Sequence, residues 1–226
     1  CMQENLNTKL VLFDLDGTLI DTAPDFLSSL NNVLARYNKK NVSASGIRTY
    51  ISEGSSKLIK YAFDIDERDQ DFKKYKHEFL LEYKSNLAAK SNLFDGIEKL
   101  LSYLNQNKIM YGIVTNKFLE YADPIVKSFP QLNDLKILIC PDHVTVSKPD
   151  PEGILLACNK LNVGTNETIY LGDHENDLRA GISAGAKVIG CLYGYSLSID
   201  SVDKYDCDFV NNANEIISHI KWLAKN

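Results

Sequence analysis

The chain is 226 residues long, with a formal net charge of -5, 44% hydrophobic and 24% charged residues; this is an ordinary globular composition with enough length to bury a substantial core. The acidic balance argues against nucleic acid, which calls for a basic surface. No apolar stretch reaches the roughly 20 residues that cross a bilayer, so the sequence gives no reason to expect a membrane as partner.

In chain order, Cys1 to Lys9 is polar and lacks the charged-then-apolar layout of a secretory signal. The apolar run Lys9–Phe13 is the first predicted strand. From about Ala23 to Lys90 the pattern is helical, in four pieces: Pro24–Tyr37, Ser45–Ile51, Ser55–Phe63 and a long charged one over Glu67–Lys84. Pro24 suits a first turn, with Asp21 or Thr22 as the cap. Further strands are predicted at Met110–Thr115, Lys136–Cys140, Thr168–Gly172, Lys187–Cys191 and Cys207–Val210. Amphipathic stretches lie between and after them: Gly96–Asn105, Phe118–Ser128, Pro151–Leu161, Asp177–Ala184 and Ala213–Ala224. Strands alternating with helices predict an α/β fold with a mostly parallel sheet. The strand-free segment far exceeds a usual connection. The predicted organisation is therefore a core of residues 1–22 and 91–226 carrying an inserted all-helical unit of residues 23–90. Five cysteines (Cys1, Cys140, Cys158, Cys191, Cys207) form no C-x-x-C pair, which predicts reduced thiols and a cytoplasmic location.

Four motifs fall at predicted strand ends, where open parallel sheets bind ligands. The first is Asp14-Leu15-Asp16-Gly17-Thr18. Two acids at the end of a buried strand repel unless a cation or shared proton relieves them. As strand residues two apart they are expected to face one way, and Gly17 lets the backbone turn close to whatever sits there. Asp14 reads as a nucleophile or metal ligand and Asp16 as a metal ligand or acid/base; hard oxygen ligands imply Mg²⁺. The second is Thr115-Asn116, whose hydroxyl and amide suit a phosphoryl oxygen, although Thr-Asn after a strand is more often a helix cap. The third is Lys148 in Ser147-Lys148-Pro149-Asp150-Pro151; the turns on either side stiffen it into the fixed ammonium that developing negative charge requires, while a loop lysine whose prolines merely end a strand and open a helix is the equal alternative. The fourth is Gly172-Asp173-His174-Glu175-Asn176-Asp177. There Asp173 is the candidate to complete a metal site with Asp14 and Asp16, with Asp177 either in support or, like Glu175, an acid favoured at a helix N-terminus. A lone loop histidine such as His174 reads as solvent-exposed.

Together and in this order, these motifs resemble the haloacid dehalogenase superfamily over nearly the whole chain. The resemblance implies a Rossmann-like core with a helical cap inserted after the first motif. It implies Asp14 as nucleophile and Asp16 as general acid/base, with Thr115 and Lys148 holding the phosphoryl group. It implies Mg²⁺ on Asp14, Asp173 and the backbone carbonyl of Asp16, with Asp177 in support. An acid two residues after the nucleophile points to phosphate ester hydrolysis, because a leaving alkoxide needs a proton.

A finer resemblance is to phosphoglycolate phosphatases, carried by Ile47-Arg48-Thr49-Tyr50-Ile51-Ser52-Glu53-Gly54 and Asn92-Leu93-Phe94-Asp95-Gly96. Ser52 stands where those enzymes have glycine, and His174 where they have serine or threonine. Arg48 and Glu53 are the specificity candidates on the cap. The expected activity is a Mg²⁺-dependent phosphomonoesterase acting on a small-molecule phosphate ester such as 2-phosphoglycolate, as a monomer or homodimer. Phosphosugar mutase, pyrophosphatase, nucleotide phosphatase and a non-catalytic binding protein are the alternatives.

Overall fold

The computed structural model of the protein describes residues 8–223. Cys1, most of the polar N-terminal stretch and the last residue of the predicted 213–224 helix lie outside them. The chain divides into two compact units, one of Ile20–Asn92 and one made of the residues on either side of it.

Strand β1 (Leu10–Phe13) is fully buried, as expected of a strand covered on both faces. After the short strand β2 (Ile20–Asp21) come the helices of the inserted unit: α1 (Ala23–Arg36), α2 (Ala44–Ile51), α3 (Ser55–Phe63) and α4 (Phe72–Ser85). Strand β3 (Asn92–Leu93) then pairs with β2. The remaining elements are α5 (Ile97–Gln106), β4 (Met110–Val114), α6 (Leu119–Lys127), β5 (Ile137–Ile139), α7 (Glu152–Leu161), β6 (Thr168–Gly172), α8 (Glu175–Ala184), β7 (Lys187–Cys191), β8 (Asp208–Val210) and α9 (Ile216–Leu223).

Six strands form one sheet in the order β5-β4-β1-β6-β7-β8, and the paired strands run parallel. The chain steps outward from β1 through β4 and β5, then returns to β6 on its other side. That reversal of winding beside β1 is where such sheets place their ligands. Cys140, Cys158, Cys191 and Cys207 are all free thiols, the first three buried.

The inserted unit is held by aromatic packing, with Phe26 stacked on Tyr83 at 4.2 Å and Phe63 on Tyr75 at 4.1 Å. Its two ends are tied by a buried carboxylate: Asp25 accepts the Lys90 N–H at 2.7 Å and the Ser91 hydroxyl.

Three local expectations are corrected. Helix α4 starts at Phe72, not Glu67, because Asp66 and Asp69 take the N–H groups of Arg68 and Asp71 at 2.9 Å each; such side-chain turns compete with the helix. Thr22 is the cap residue of α1 but makes no side-chain cap bond, since its backbone is already helical (φ -92°, ψ -6°). The segment 213–215 is a 3₁₀ turn before α9, with Asn212 accepting the Asn214 N–H at 3.1 Å.

Candidate active site

The register brings three of the four motifs to neighbouring strand ends. Phe13 lies beside Ile113 of β4 and Leu171 of β6, so Asp14 emerges between the Thr115 and Asp173 motifs. Strand β1 ends at Phe13, and strand alternation therefore does not set how the two acids face. Each is instead held by its own lysine.

Asp14 is held by Lys148, whose Nζ donates to Asp14 Oδ1 at 2.8 Å. The same ammonium donates to Asp177 Oδ1 at 2.6 Å, the Val114 carbonyl at 2.9 Å and the Tyr170 hydroxyl at 2.8 Å. Lys148 reaches these acceptors from the loop after β5, and its side chain is 4% exposed. Burial works against its charge, but Asp14 and Asp177 more than offset that and hold it ionised. Burial, followed by the charge of Asp177, pushes Asp14 up to about 7 although Lys148 pulls the other way. Asp173 is raised well above the usual carboxylate range, by burial first and then by Asp14 and Asp177.

Asp16 turns to Lys117, whose Nζ donates to its Oδ1 at 2.9 Å. Thr115 is buried, and its hydroxyl oxygen accepts the Lys117 N–H at 3.1 Å. Asn116, expected on phosphate, is engaged elsewhere. Its amide donates to the Lys148 carbonyl at 2.9 Å and accepts the Lys148 N–H at 3.0 Å. Its side chain thus locks the backbone that presents Lys148.

Asp173 is clamped from two sides. The Thr18 hydroxyl donates to its Oδ1 at 2.9 Å and the Tyr195 N–H to its Oδ2 at 2.8 Å. Gly17 has φ +84° and Gly194 packs against it; a Cβ on Gly194 would collide with Asp173 and with the Gly17 carbonyl. Tyr193 adds a bond from its hydroxyl to the Thr18 carbonyl at 2.8 Å. The sequence reading missed this loop after β7, as it missed Lys117, Tyr170 and Thr18. The available signals were a Tyr-Gly-Tyr at a fifth strand end and a lysine directly after Thr-Asn.

His174 is half-buried and caps α8, which therefore starts at Glu175 instead of Asp177. Its Nδ1 accepts the Asn176 N–H at 3.0 Å while its own N–H donates to Asp177 at 3.0 Å. It is a helix cap, not a solvent-exposed side chain. Arg48 and Glu53 belong to the inserted unit: Arg48 is half-buried on α2, and exposed Glu53 pairs with Lys57 at 3.5 Å.

Asp14, Asp173 and Asp177 each offer a carboxylate oxygen, all within 4.8 Å of one another. Asp16 is not part of this cluster. Three buried carboxylates against the single Lys148 ammonium leave two negative charges unbalanced when all are ionised, and the donors are hard oxygens. The site therefore fits a divalent cation such as Mg²⁺.

Comparison with known proteins shows what the chain as a whole is similar to. The model of a family described as haloacid dehalogenase-like hydrolase matches residues 11–191. An N-acetylmuramic acid 6-phosphate phosphatase of Pseudomonas putida is 37% identical over 205 residues, 91% of this chain and 92% of the relative. A phosphoglycolate phosphatase of Xanthomonas campestris pv. campestris is 33% identical over 201 residues, 88% and 90% of the two chains. Among solved structures, a predicted phosphoglycolate phosphatase from Haemophilus somnus superimposes with a TM-score of 0.82 at 28% identity, covering 94% of this chain and 97% of its own.

Proposed function

The chain belongs to the haloacid dehalogenase-like hydrolase family, and from that premise we propose that it is a Mg²⁺-dependent phosphomonoesterase working through a phosphoaspartate on Asp14. The observation that carries this reading is the buried contact of Asp14 with Lys148 beside Asp173 and Asp177. A nucleophile must lie against the group that stabilises the phosphoryl charge, and here the two are 2.8 Å apart.

Asp14 attacks phosphorus, and the bond to the leaving oxygen breaks with its electron pair on that oxygen. Asp16 supplies the proton that makes it an alcohol. The resulting Asp16 carboxylate then takes a proton from water, whose oxygen attacks the phosphoaspartate, releasing phosphate and regenerating Asp14. Lys148 and Thr115 hold the phosphoryl oxygens, and Asn116 holds the backbone of Lys148. Asp14 and Asp173, with Asp177 behind them, would hold Mg²⁺, which supplies charge neutralisation for the transferring group.

The two relatives aligned by sequence are named for N-acetylmuramic acid 6-phosphate and for phosphoglycolate, each a phosphate ester of a carboxylic acid. We assign the same class here, 2-phosphoglycolate being its smallest member. Arg48 is the proposed partner of that carboxylate, since a guanidinium pairs with it bidentately. Arg48→Ala is expected to lower kcat/KM for carboxylate-bearing esters by about 10–200-fold, the loss of one charge-assisted contact. A neutral aryl phosphate should be hydrolysed almost as before; equal losses on both would refute the assignment. The free buried cysteines support a cytoplasmic setting.

Phosphate release from a panel of esters, pyrophosphate and nucleotides with Mg²⁺ tests the function. Release from carboxylate-bearing esters is expected, and transfer of phosphate without release would mark a mutase. Removal of divalent ions should abolish turnover, with Mg²⁺ restoring it and Ca²⁺, looser in its coordination, restoring little. The sign of the pH effect follows from Asp14, raised from 3.8 to about 7. Below about pH 7 the folded metal-free protein holds a proton there that the unfolded chain lacks down to about pH 4. This group therefore favours the metal-free fold more as pH falls through that window. Mg²⁺ must displace the proton, so the rise in Tm on adding Mg²⁺ should be larger at pH 8 than at pH 6. A rise independent of pH would remove Asp14 from the metal site.

A further inference from the structure

The Lys117–Asp16 contact is a half-buried, charge-assisted hydrogen bond, with side chains 8% and 15% exposed. It is unlike the surface pairs of this chain, such as Lys127–Asp123 at 73% and 41%, which contribute little. Its two residues come from neighbouring strand ends, Asp16 from the loop after β1 and Lys117 from the turn after β4. Lys117 is itself anchored, since its N–H is held by the Thr115 hydroxyl at 3.1 Å. The phosphoryl-side acid Asp14 has a separate cation in Lys148. Each of the two acids of the first motif is thus held by one lysine, and Lys117 holds the one whose task is proton transfer.

We propose that Lys117 is a positioning residue for Asp16. Its ammonium donates to Oδ1, which leaves Oδ2 to carry the proton aimed at the oxygen that leaves in the first step and, once that proton is given, to face the water that attacks in the second and returns it. The bond-making is that given above: proton from Asp16 to the leaving oxygen, then proton from water to Asp16. Lys117 takes no part in the proton count. A short carboxylate on a loop past the end of its strand has two free torsions, and an aim lost by about 1 Å costs on the order of 10²-fold in rate. This inference rests on the phosphomonoesterase reading.

The test compares wild type, Lys117→Met, Lys117→Arg, Asp16→Asn and the Asp16→Asn/Lys117→Met double variant on an alkyl phosphate and on 4-nitrophenyl phosphate. The nitrophenolate leaves without a proton, so only the second step on that substrate needs Asp16. Lys117→Met is expected to lower kcat about 10–100-fold on both, with KM within threefold. On 4-nitrophenyl phosphate it should show a burst of nitrophenolate equal to the enzyme concentration, followed by slow turnover. Burst amplitude counts folded, competent sites, so a misfolded variant reveals itself by a small burst. Lys117→Arg should recover most of the rate. The double variant should be no slower than Asp16→Asn alone, because the two residues act as one unit.

Three results would overturn the proposal: turnover of Lys117→Met equal to wild type, a loss confined to KM, or losses that multiply in the double variant. The last two would mean that Lys117 meets the substrate directly. A wild type that releases phosphate from no ester would instead refute the phosphomonoesterase reading itself.

Discussion

Asp14→Asn is expected to abolish turnover while leaving the fold intact. An amide of the same shape cannot attack phosphorus, and no other described carboxylate has the contact that Asp14 makes with Lys148 at 2.8 Å without also being bound to the α8 N-terminus, as Asp177 is. The stability of the variant carries as much information as its inactivity. The native site disfavours charge on Asp14, pushing it up to about 7 through burial and then the charge of Asp177. At pH 8 without metal the neutral side chain should therefore be tolerated, or even raise Tm. The Tm rise on adding Mg²⁺ should shrink at the same time. Thermal unfolding with and without Mg²⁺, alongside phosphate release from highly purified protein, reads both. Persistent turnover would exclude the phosphoaspartate.

Lys148→Met is expected to be nearly as damaging, for the opposite electrostatic reason. It removes the ammonium that touches Asp14 and Asp177 and leaves the buried carboxylates facing one another. Breaking a buried pair by deleting one partner typically costs about 3–5 kcal/mol. Loss of one preorganised donor to the transferring group typically costs about 10²–10³-fold in kcat. Added Mg²⁺ should recover part of the Tm, because the site is then one charge more negative, without recovering the rate. A variant with wild-type turnover would remove Lys148 from the phosphoryl site.

The sheet was legible because its strands are short apolar runs, and the polar motifs around Asp14, Thr115 and Asp173 start where β1, β4 and β6 end. Thr168–Gly172 and Lys187–Cys191 are strands over the residues expected, bounded by glycine or by a change of polarity. The turns before α4 were misread, since Glu67-Arg68 is helix-favouring by composition and only the hydrogen bonds of Asp66 and Asp69 decide otherwise. The parts of the site that were missed are contacts between residues distant in sequence. Lys117 meets Asp16 from 101 positions away and Thr18 meets Asp173 from 155. Asn116 looked like a phosphate ligand because an amide after a strand suits an oxyanion. The loop that competes for that amide lies 32 residues on, where no local pattern points back to it.

The placement of β1 in the sheet has a consequence for how the protein is made. Both neighbours of this strand come late: Leu10 pairs with Met110 on one side and with Thr168 on the other. The unit Ile20–Asn92 emerges from the ribosome between them and is held by contacts within itself. It can form during synthesis, whereas β1 must wait for partners that close very long loops, an entropic cost that precedes any reward. Until β6 arrives, Leu10–Phe13 has an open edge of four apolar residues, the kind of edge that pairs with other chains. Nascent chains halted between β4 and β6 are therefore expected to be the aggregation-prone stage of biosynthesis, and the strand that carries the nucleophile is the one they expose.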